Sequence, residues 1–243
     1  MKYVLLLALS LSCIFEAFAE EKSHHWNYQE VSKWGEASEF ATCKVGKAQS
    51  PINIVTKSVK KSDIAPLDTH YINSKVEIVN NGHTIQLNLT SAGFAYLKNK
   101  QYKLLQFHFH TPSEEKINGK NFPLVIHLVH KDDVGNLGVI AVMIKQGKEN
   151  IALKNVFVNL PKTEGKRELA DKINPSDFLP QSLSYYGFNG SLTTPPCSEG
   201  VAWHVLKEPI ELSKGQIESF KTIFKMNARP IQALNGRVVE ESK

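Results

Sequence analysis

The sequence predicts a single, mainly β domain of the α+β class, with a large, twisted, mostly antiparallel central β-sheet and short helices at its periphery. Three observations predict it. Strand-like segments between turn signals fill the middle of the chain, helical spacing occurs in only two segments, and no repeat or Gly/Ser linker divides the 243 residues. A hydrophobic content of 42% is that of an ordinary globular protein.

The predicted strands are rich in β-branched and aromatic residues and end at Gly, Asn or Pro. They cover residues 76–79, 84–90, 94–97, 102–110, 124–130 and 137–145. Asn118-Gly119 and Gly135-Asn136 indicate chain reversals, so we expect the segments around them to run antiparallel.

Two segments favour helices. Residues 151–160 have apolar side chains at helical spacing, and Pro161 ends the pattern. Ser213 and Gln216 form a capping-box signature, which predicts a helix whose apolar face carries Ile217, Phe220 and Phe224.

The first 19 residues predict a cleaved export signal, which leaves residues 20–243 as the mature domain. Lys2 supplies a positive charge, an apolar stretch follows, and small residues at Ala17 and Ala19 suit a signal peptidase. We therefore expect a periplasmic or secreted protein without a membrane span. The net charge of +5 comes from scattered Lys and Arg, which does not favour nucleic-acid binding.

Cys43 and Cys197 are the two cysteines of the mature domain. An even number in a chain destined for an oxidising compartment predicts a disulfide. Two buried free thiols are the alternative.

Residues 106–110, Gln-Phe-His-Phe-His, carry the densest chemistry of the chain. Side chains alternate along a strand, so His108 and His110 share one face while the phenylalanines face the core. Both imidazoles can reach one metal ion if a neighbouring strand supplies a third ligand, and His127 is the candidate. Hydrogen-bonded structural histidines are the alternative for each ring taken alone.

Several motifs, in this order along the chain, resemble those of the alpha-class carbonic anhydrases, in particular the exported bacterial members. They lie at residues 49–54, 80–83, 106–110, 113–114, 127–130, 190–196 and 227–230. The resemblance covers nearly the whole mature chain. It implies a zinc lyase that reversibly converts carbon dioxide to bicarbonate and a proton by attack of zinc-bound hydroxide, so the expected partners are these small-molecule substrates and neither a nucleic acid nor a membrane.

The resemblance implies that His108, His110 and His127 bind zinc. It also implies that the Thr193 hydroxyl accepts a hydrogen bond from the zinc-bound hydroxide and donates its own proton to Glu114. A hydroxyl has one proton, so donating it to a carboxylate leaves the oxygen as an acceptor.

Further roles follow from the same resemblance. His83 is the expected proton shuttle, because an imidazole that titrates near neutrality can pass a proton to buffer. The water network maps to Tyr28, Asn81 and Gln86. The carbon dioxide pocket maps to Val129, Val139, Leu192, Thr194, Val201 and Trp203.

Two ligands have an expected partner for the ring nitrogen that does not face the metal. Gln106 is expected to accept from His108, and the backbone carbonyl of Asn227 to accept from His110. Such partners fix ring orientation, and losing one typically costs about 10 to 100-fold in metal affinity or activity.

The third ligand departs from the family pattern. Val125 occupies the place where the family commonly has a carboxylate, so His127 is expected to be held less firmly unless another group substitutes, and Val125→Glu is expected to slow zinc loss. Glu115 stands where many relatives have His, and its charge is expected to raise the pKa of the neighbouring Glu114 carboxyl.

Two other functions fit parts of the pattern. His108, His110 and Glu114 also have the spacing of a cupin site, in which the carboxylate would bind iron or manganese in an oxygenase or isomerase. The second alternative is a noncatalytic binding module on the same fold. The sequence does not predict the oligomeric state, and a homodimer is left open.

Overall fold

The computed structural model describes residues 25–64 and 66–243. The predicted export signal and its cleavage site lie outside the described residues. The strands are β1 (Asn53–Ile54), β2 (Lys60–Lys61), β3 (Asp68–Tyr71), β4 (Val76–Asn80), β5 (Ile85–Leu89), β6 (Gly93–Leu97), β7 (Lys100–His110), β8 (Lys116–Ile117), β9 (Leu124–Lys131), β10 (Leu137–Gln146), β11 (Gly165–Glu168), β12 (Tyr185–Ser191), β13 (Glu199–Leu206), β14 (Ile210–Leu212) and β15 (Glu240–Glu241).

The six predicted strands are confirmed as β4, β5, β6, β7, β9 and β10, with ends within two residues of those predicted. The other nine strands of the described residues were not predicted, among them the long strands β12 and β13. The reversal at Gly135-Asn136 joins the antiparallel strands β9 and β10. The reversal at Asn118-Gly119 lies within an antiparallel bridge between Ile117 and Lys120.

The main sheet dominates the domain, as predicted. Its order within the described residues is β11-β4-β5-β7-β9-β10-β13-β12-β15-β2, with β6 pairing β3 and β7, and β14 pairing β10. Most neighbours are antiparallel, but β10 runs parallel to β13 and β14, and β15 parallel to β2. A separate small sheet pairs β1 with β8.

Three α-helices lie around the sheet in the described part of the chain: α1 (Thr42–Val45), α2 (Ile151–Val158) and α3 (Lys214–Ile223). Helix α2 ends two residues before the predicted end. Ser213 and Gln216 form the predicted capping box of α3. Short 3₁₀ segments occur at Tyr28–Lys33, Ser38–Phe40, Thr56–Ser58 and Pro175–Phe178.

Apolar clusters cover both faces of the sheet in the region of strands β7 and β9. On one face Phe107, Phe109 and Leu128 pack with Leu153 of α2 and Phe220 of α3. The histidine-bearing face packs against a second cluster, which contains Val125, Val139, Ala141, Met143, Val201 and Trp203. The alternation of side chains in β7 and β9 is therefore as predicted, and it places the imidazoles on the face away from the helices.

Cys43 and Cys197 form a disulfide, as predicted, with a Cα–Cα distance of 5.0 Å. The bond joins positions 154 residues apart, for which the chain-entropy model gives about 5 kcal/mol of stabilisation. Such a bond is typical of proteins outside the reducing cytosol. None of the helices in the described ranges is long and apolar enough to cross a membrane.

Candidate metal centre and active site

The structure brings the three predicted ligand histidines together. Strands β7 and β9 pair in a register that sets His108 opposite His127 and His110 opposite Val125. The candidate ligand nitrogens of the three histidines all lie within 4.8 Å of one another. His110 and His127 are buried and His108 is half-buried, so the cluster forms the floor of a pocket.

Each ring of the cluster has one nitrogen held by a protein acceptor. Nδ1 of His108 lies 2.8 Å from Oε1 of Gln106. Nδ1 of His110 lies 2.7 Å from the carbonyl oxygen of Asn227. Both contacts are those expected from the sequence. They leave Nε2 of each ring for another partner, and Nε2 of His110 is buried without a hydrogen bond.

His127 has a carboxylate partner, which is the substitution by another group that the expectation left open. Its Nε2 lies 3.2 Å from Oε2 of Glu115, a side chain that is fully buried. The carboxylate comes from the loop that follows β7, not from the residue two positions earlier in β9. Val125 instead packs in the apolar cluster beside Met143.

Burial fixes the charge state of the first two ligands. It lowers the pKa of His108 to about 3 and that of His110 well below its ordinary value, and the charge of His127 adds to both shifts. Both rings are therefore neutral at pH 7, as metal ligands must be. Burial also disfavours charge on His127, but the carboxylates of Glu115 and Glu114 outweigh it and raise the pKa of that ring.

Glu114 lies beside the histidine cluster and is fully buried. Its Oε1 accepts the backbone N–H of Arg229 at 2.8 Å, and the Thr193 hydroxyl lies close enough to the carboxylate to lower its pKa. Burial raises the pKa of Glu114 to about 7, and the charge of Glu115 adds to the rise, in the predicted direction. The charge of His127 opposes the shift most strongly, and the Thr193 hydroxyl and the Arg229 N–H oppose it as well, because all three stabilise the carboxylate.

The disulfide anchors the loop that carries Thr193, which joins β12 to β13. The N–H of Cys197 donates to the carbonyl of Thr194 at 2.8 Å, and Cys197 is bonded to Cys43. The guanidinium of Arg229 in turn donates to the carbonyl of Cys43 at 3.0 Å. The backbone on both sides of the Thr193–Glu114 contact is therefore tied to one network.

A cavity of about 160 Å³ opens over the three histidines. Among the residues predicted for a substrate pocket, those that line it are Val129, Val139, Leu192, Thr194 and Trp203. The predicted shuttle and water-network residues Tyr28, Asn81, His83 and Gln86 line it as well. Val201 does not line the cavity and lies in the apolar cluster behind it.

His83 lies on the turn between β4 and β5. The side-chain oxygen of Asn81 accepts from the backbone N–H groups of His83 and Thr84, at 3.0 and 2.9 Å. Gly82 has a φ of 81°, in the left-handed region that favours glycine. This turn places His83 at the cavity, which it lines.

The ring of His83 stacks on Trp26, with centroids 3.7 Å apart and an interplanar angle of 10°. Partial burial lowers the pKa of His83, and the charge of His25 lowers it further, while Glu164 opposes the shift. Sequence reasoning missed Trp26, because its contact with His83 joins residues that no local pattern relates.

Comparison with known proteins identifies this arrangement. A profile of the eukaryotic-type carbonic anhydrases matches residues 29–243. The chain belongs to the alpha carbonic anhydrase family. A carbonic anhydrase of Pectobacterium carotovorum is 42% identical over 98% of this chain and 99% of its own length. One from Neisseria gonorrhoeae is 43% identical over 98% of this chain and 95% of its own length.

Solved structures agree with this assignment. The alpha-carbonic anhydrase of Thermovibrio ammonificans, in a complex with the inhibitor sulfanilamide, superposes with a TM-score of 0.87 at 44% identity, over 90% of this chain and 99% of that one. The chain is thus an enzyme of the carbonic anhydrase class. The cupin alternative and the noncatalytic binding module are both wrong.

Proposed function

We propose that this carbonic anhydrase is a zinc enzyme that interconverts carbon dioxide with bicarbonate and a proton. The observation that carries the proposal is the set of three imidazole nitrogens within 4.8 Å, on rings whose other nitrogens are already held. Three neutral nitrogen ligands with an open fourth position are typical of catalytic zinc. When bound, zinc lowers the pKa of a coordinated water to about 7, the behaviour long attributed to carbonic anhydrase.

Thr193 and Glu114 orient the nucleophile. The hydroxyl proton of Thr193 is committed to the Glu114 carboxylate, so the hydroxyl oxygen presents only lone pairs to the cavity. It therefore accepts a hydrogen bond from the attacking group, and it cannot donate one to a group that is only an acceptor. Fixing the direction of attack removes orientational freedom that would otherwise raise the barrier.

An apolar wall receives carbon dioxide. Val129, Val139, Leu192 and Trp203 line the cavity with hydrocarbon, which suits a small substrate without net charge. The indole N–H of Trp203 donates to the carbonyl of Ser191 at 3.0 Å, so the polar edge of the ring is satisfied. Its ring centre lies 5.0 Å from that of His127, beside the third ligand. Thr194 lines the same cavity, whereas Val201 packs in the apolar cluster and does not line the proposed pocket.

The proton leaves through His83. Each hydration produces one proton, which must reach buffer before the next turnover, and an imidazole at the cavity is suited to accept and release it. Tyr28, Asn81 and Gln86 line the cavity with polar atoms that support a chain of ordered water between the floor and His83.

Export of residues 20–243 after cleavage before Glu20 belongs to the same proposal, and the Cys43–Cys197 disulfide supports it. The mass of the protein recovered from a bacterial periplasm tests it, since the uncleaved chain would be heavier by the leader.

Hydration kinetics test the catalytic proposal. We expect stopped-flow carbon dioxide hydration by the purified protein to disappear after zinc is removed with a chelator and to return when zinc is added. Metal analysis should give one zinc per chain. A chain that holds one zinc and does not accelerate hydration would refute the proposal.

A further inference from the structure

The support of His127 differs in kind from that of the other two ligand histidines. His108 and His110 contact neutral oxygens, one of a side-chain amide and one of a backbone carbonyl. His127 contacts a carboxylate, and both partners are almost completely buried. A carboxylate is the stronger acceptor, because hydrogen bonds to charged groups are roughly twice as strong as neutral ones.

We propose that Glu115 is the positioning residue of His127. It supplies the hydrogen-bond acceptor that a carboxylate at position 125 would otherwise supply. Its carboxylate accepts the Nε2–H of the ring, which fixes the tautomer whose Nδ1 is free to bind a metal. This inference rests on the proposed zinc site.

The loop that carries Glu115 is held on both sides. The hydroxyl of Ser113 donates to the carbonyl of Glu115 at 2.8 Å, and the same hydroxyl accepts the N–H of Phe122 at 2.9 Å. On the other side, the N–H of Lys116 donates to the carbonyl of Ile52 at 3.2 Å, where β8 joins β1. These contacts therefore fix the backbone of Glu115 and hold its carboxylate beside His127.

Glu115 has little reason to be buried apart from this contact. Among the described residues, His127 is its only ion-pair partner, and one of its oxygens has no hydrogen-bond partner. Burying a carboxylate is costly unless it is paired. A side chain retained at that cost, and aimed at the free nitrogen of a ligand ring, fits a positioning role better than a packing role.

The ring of His127 has room for one such acceptor. An imidazole that binds a metal through one nitrogen has a single N–H left to donate. Val125 lies two residues earlier on the same face of β9, roughly 7 Å away along the strand, and is fully buried in an apolar cluster. A glutamate there would compete with Glu115 for one proton. Val125→Glu alone is therefore expected to give no slower zinc loss, the reverse of the expectation from sequence.

Zinc dissociation rates in a set of variants test the proposal. Each zinc-loaded protein is mixed with excess chelator, and zinc release is followed together with the melting temperature. We expect Glu115→Ala to lose zinc about 10 to 100-fold faster than the native chain. Glu115→Gln should fall between them, because its amide oxygen still accepts, as that of Gln106 does for His108.

The decisive variant combines Glu115→Ala with Val125→Glu. We expect this double variant to release zinc at least tenfold more slowly than Glu115→Ala. If the loss at Glu115 were merely structural, a glutamate placed in β9 would not slow zinc release. Glu218→Ala is the matched control, because it removes an exposed carboxylate paired with Lys221 on helix α3, on the side of the sheet away from the histidines, and it should leave zinc release unchanged.

Two results would overturn the proposal: zinc release from Glu115→Ala within twofold of native, or a double variant that releases zinc as fast as Glu115→Ala. If Glu115→Ala does not fold, Glu115→Gln and Val125→Glu still test the proposal. Zinc release slower than that of the native chain in either variant would contradict it. Failure of the proposed function looks different, because the native chain would then bind no zinc or would bind it without hydrating carbon dioxide.

Discussion

The floor of the cavity and its rim hold their histidines in opposite ways. On the floor, each of the three rings has one nitrogen fixed by a protein oxygen at 2.7 to 3.2 Å. At the rim, the half-buried ring of His83 stacks on Trp26, and within the described chain its nitrogens have no hydrogen-bond partner.

The difference matches two chemical tasks. A metal ligand must keep one lone pair pointed at one place, so a fixed tautomer is an advantage. A proton shuttle must gain a proton at one nitrogen and lose it again, so both nitrogens must stay accessible. Contact with an aromatic face restrains the position of the ring without claiming either nitrogen. Histidine can therefore bind the metal at the floor and transfer protons at the rim, because its surroundings differ between the two places.

Removing a floor histidine should have the largest effect. We expect His110→Ala to retain zinc more than 100-fold less well than the native chain, since loss of a supporting group alone typically costs about 10 to 100-fold. Hydration should fall with the zinc content. Metal analysis after dialysis measures this, with the exposed His70→Ala as control. Full zinc content in His110→Ala would show that the three rings do not form the metal site.

Thr193→Val should act next most strongly, and on catalysis instead of metal binding. Valine has nearly the shape of threonine but cannot orient the attacking group or donate to Glu114. We expect kcat/KM to fall by about 10²-fold, a typical cost of a misplaced reacting group, while zinc content stays at the native level. A variant with native kcat/KM would remove Thr193 from the mechanism.

The sequence predicts the floor well because strand periodicity determines most of it. Alternation in β7 puts His108 and His110 on one face, and the pairing with β9 brings His127 opposite. The partner of His127 was beyond that reasoning. Glu115 reaches the ring through a loop, and the closure of a loop onto a strand leaves no periodic signal.

The fold shows the same limit. Strands joined by short turns, such as β9 and β10, are predictable from turn residues and alternation. The parallel pairing of β10 with β13 joins segments more than 50 positions apart in the printed sequence, and no local pattern specifies it. The contact of Trp26 with His83 at the rim is hidden for the same reason.

Loss of the rim histidine should have a smaller and conditional effect. We expect His83→Ala to lower kcat by about 10-fold in dilute buffer, less than the roughly 10²- to 10⁴-fold typical of general acid–base groups, because water still carries part of the proton release. Added imidazole should restore kcat by carrying the proton itself, and kcat/KM and zinc content should not change. A loss of kcat that concentrated imidazole does not repair would contradict the shuttle role.

The smallest predicted effect is on the pH dependence and comes from Trp26→Ala. Burial lowers the pKa of His83, because the charged ring is poorly solvated beneath the indole, and the nearby His25 lowers it further while Glu164 raises it. Removing the indole exposes the ring, so its pKa should rise toward the ordinary value.

At a given pH, less of the His83 ring in Trp26→Ala is then neutral and able to accept a proton. The acid limb of kcat, measured in dilute buffer, should therefore move to higher pH, by less than about one unit for a ring that is only partly buried. The same substitution in a His83→Ala background should move nothing. If it shifts the profile there too, the indole acts on another group and the contrast between rim and floor does not depend on His83.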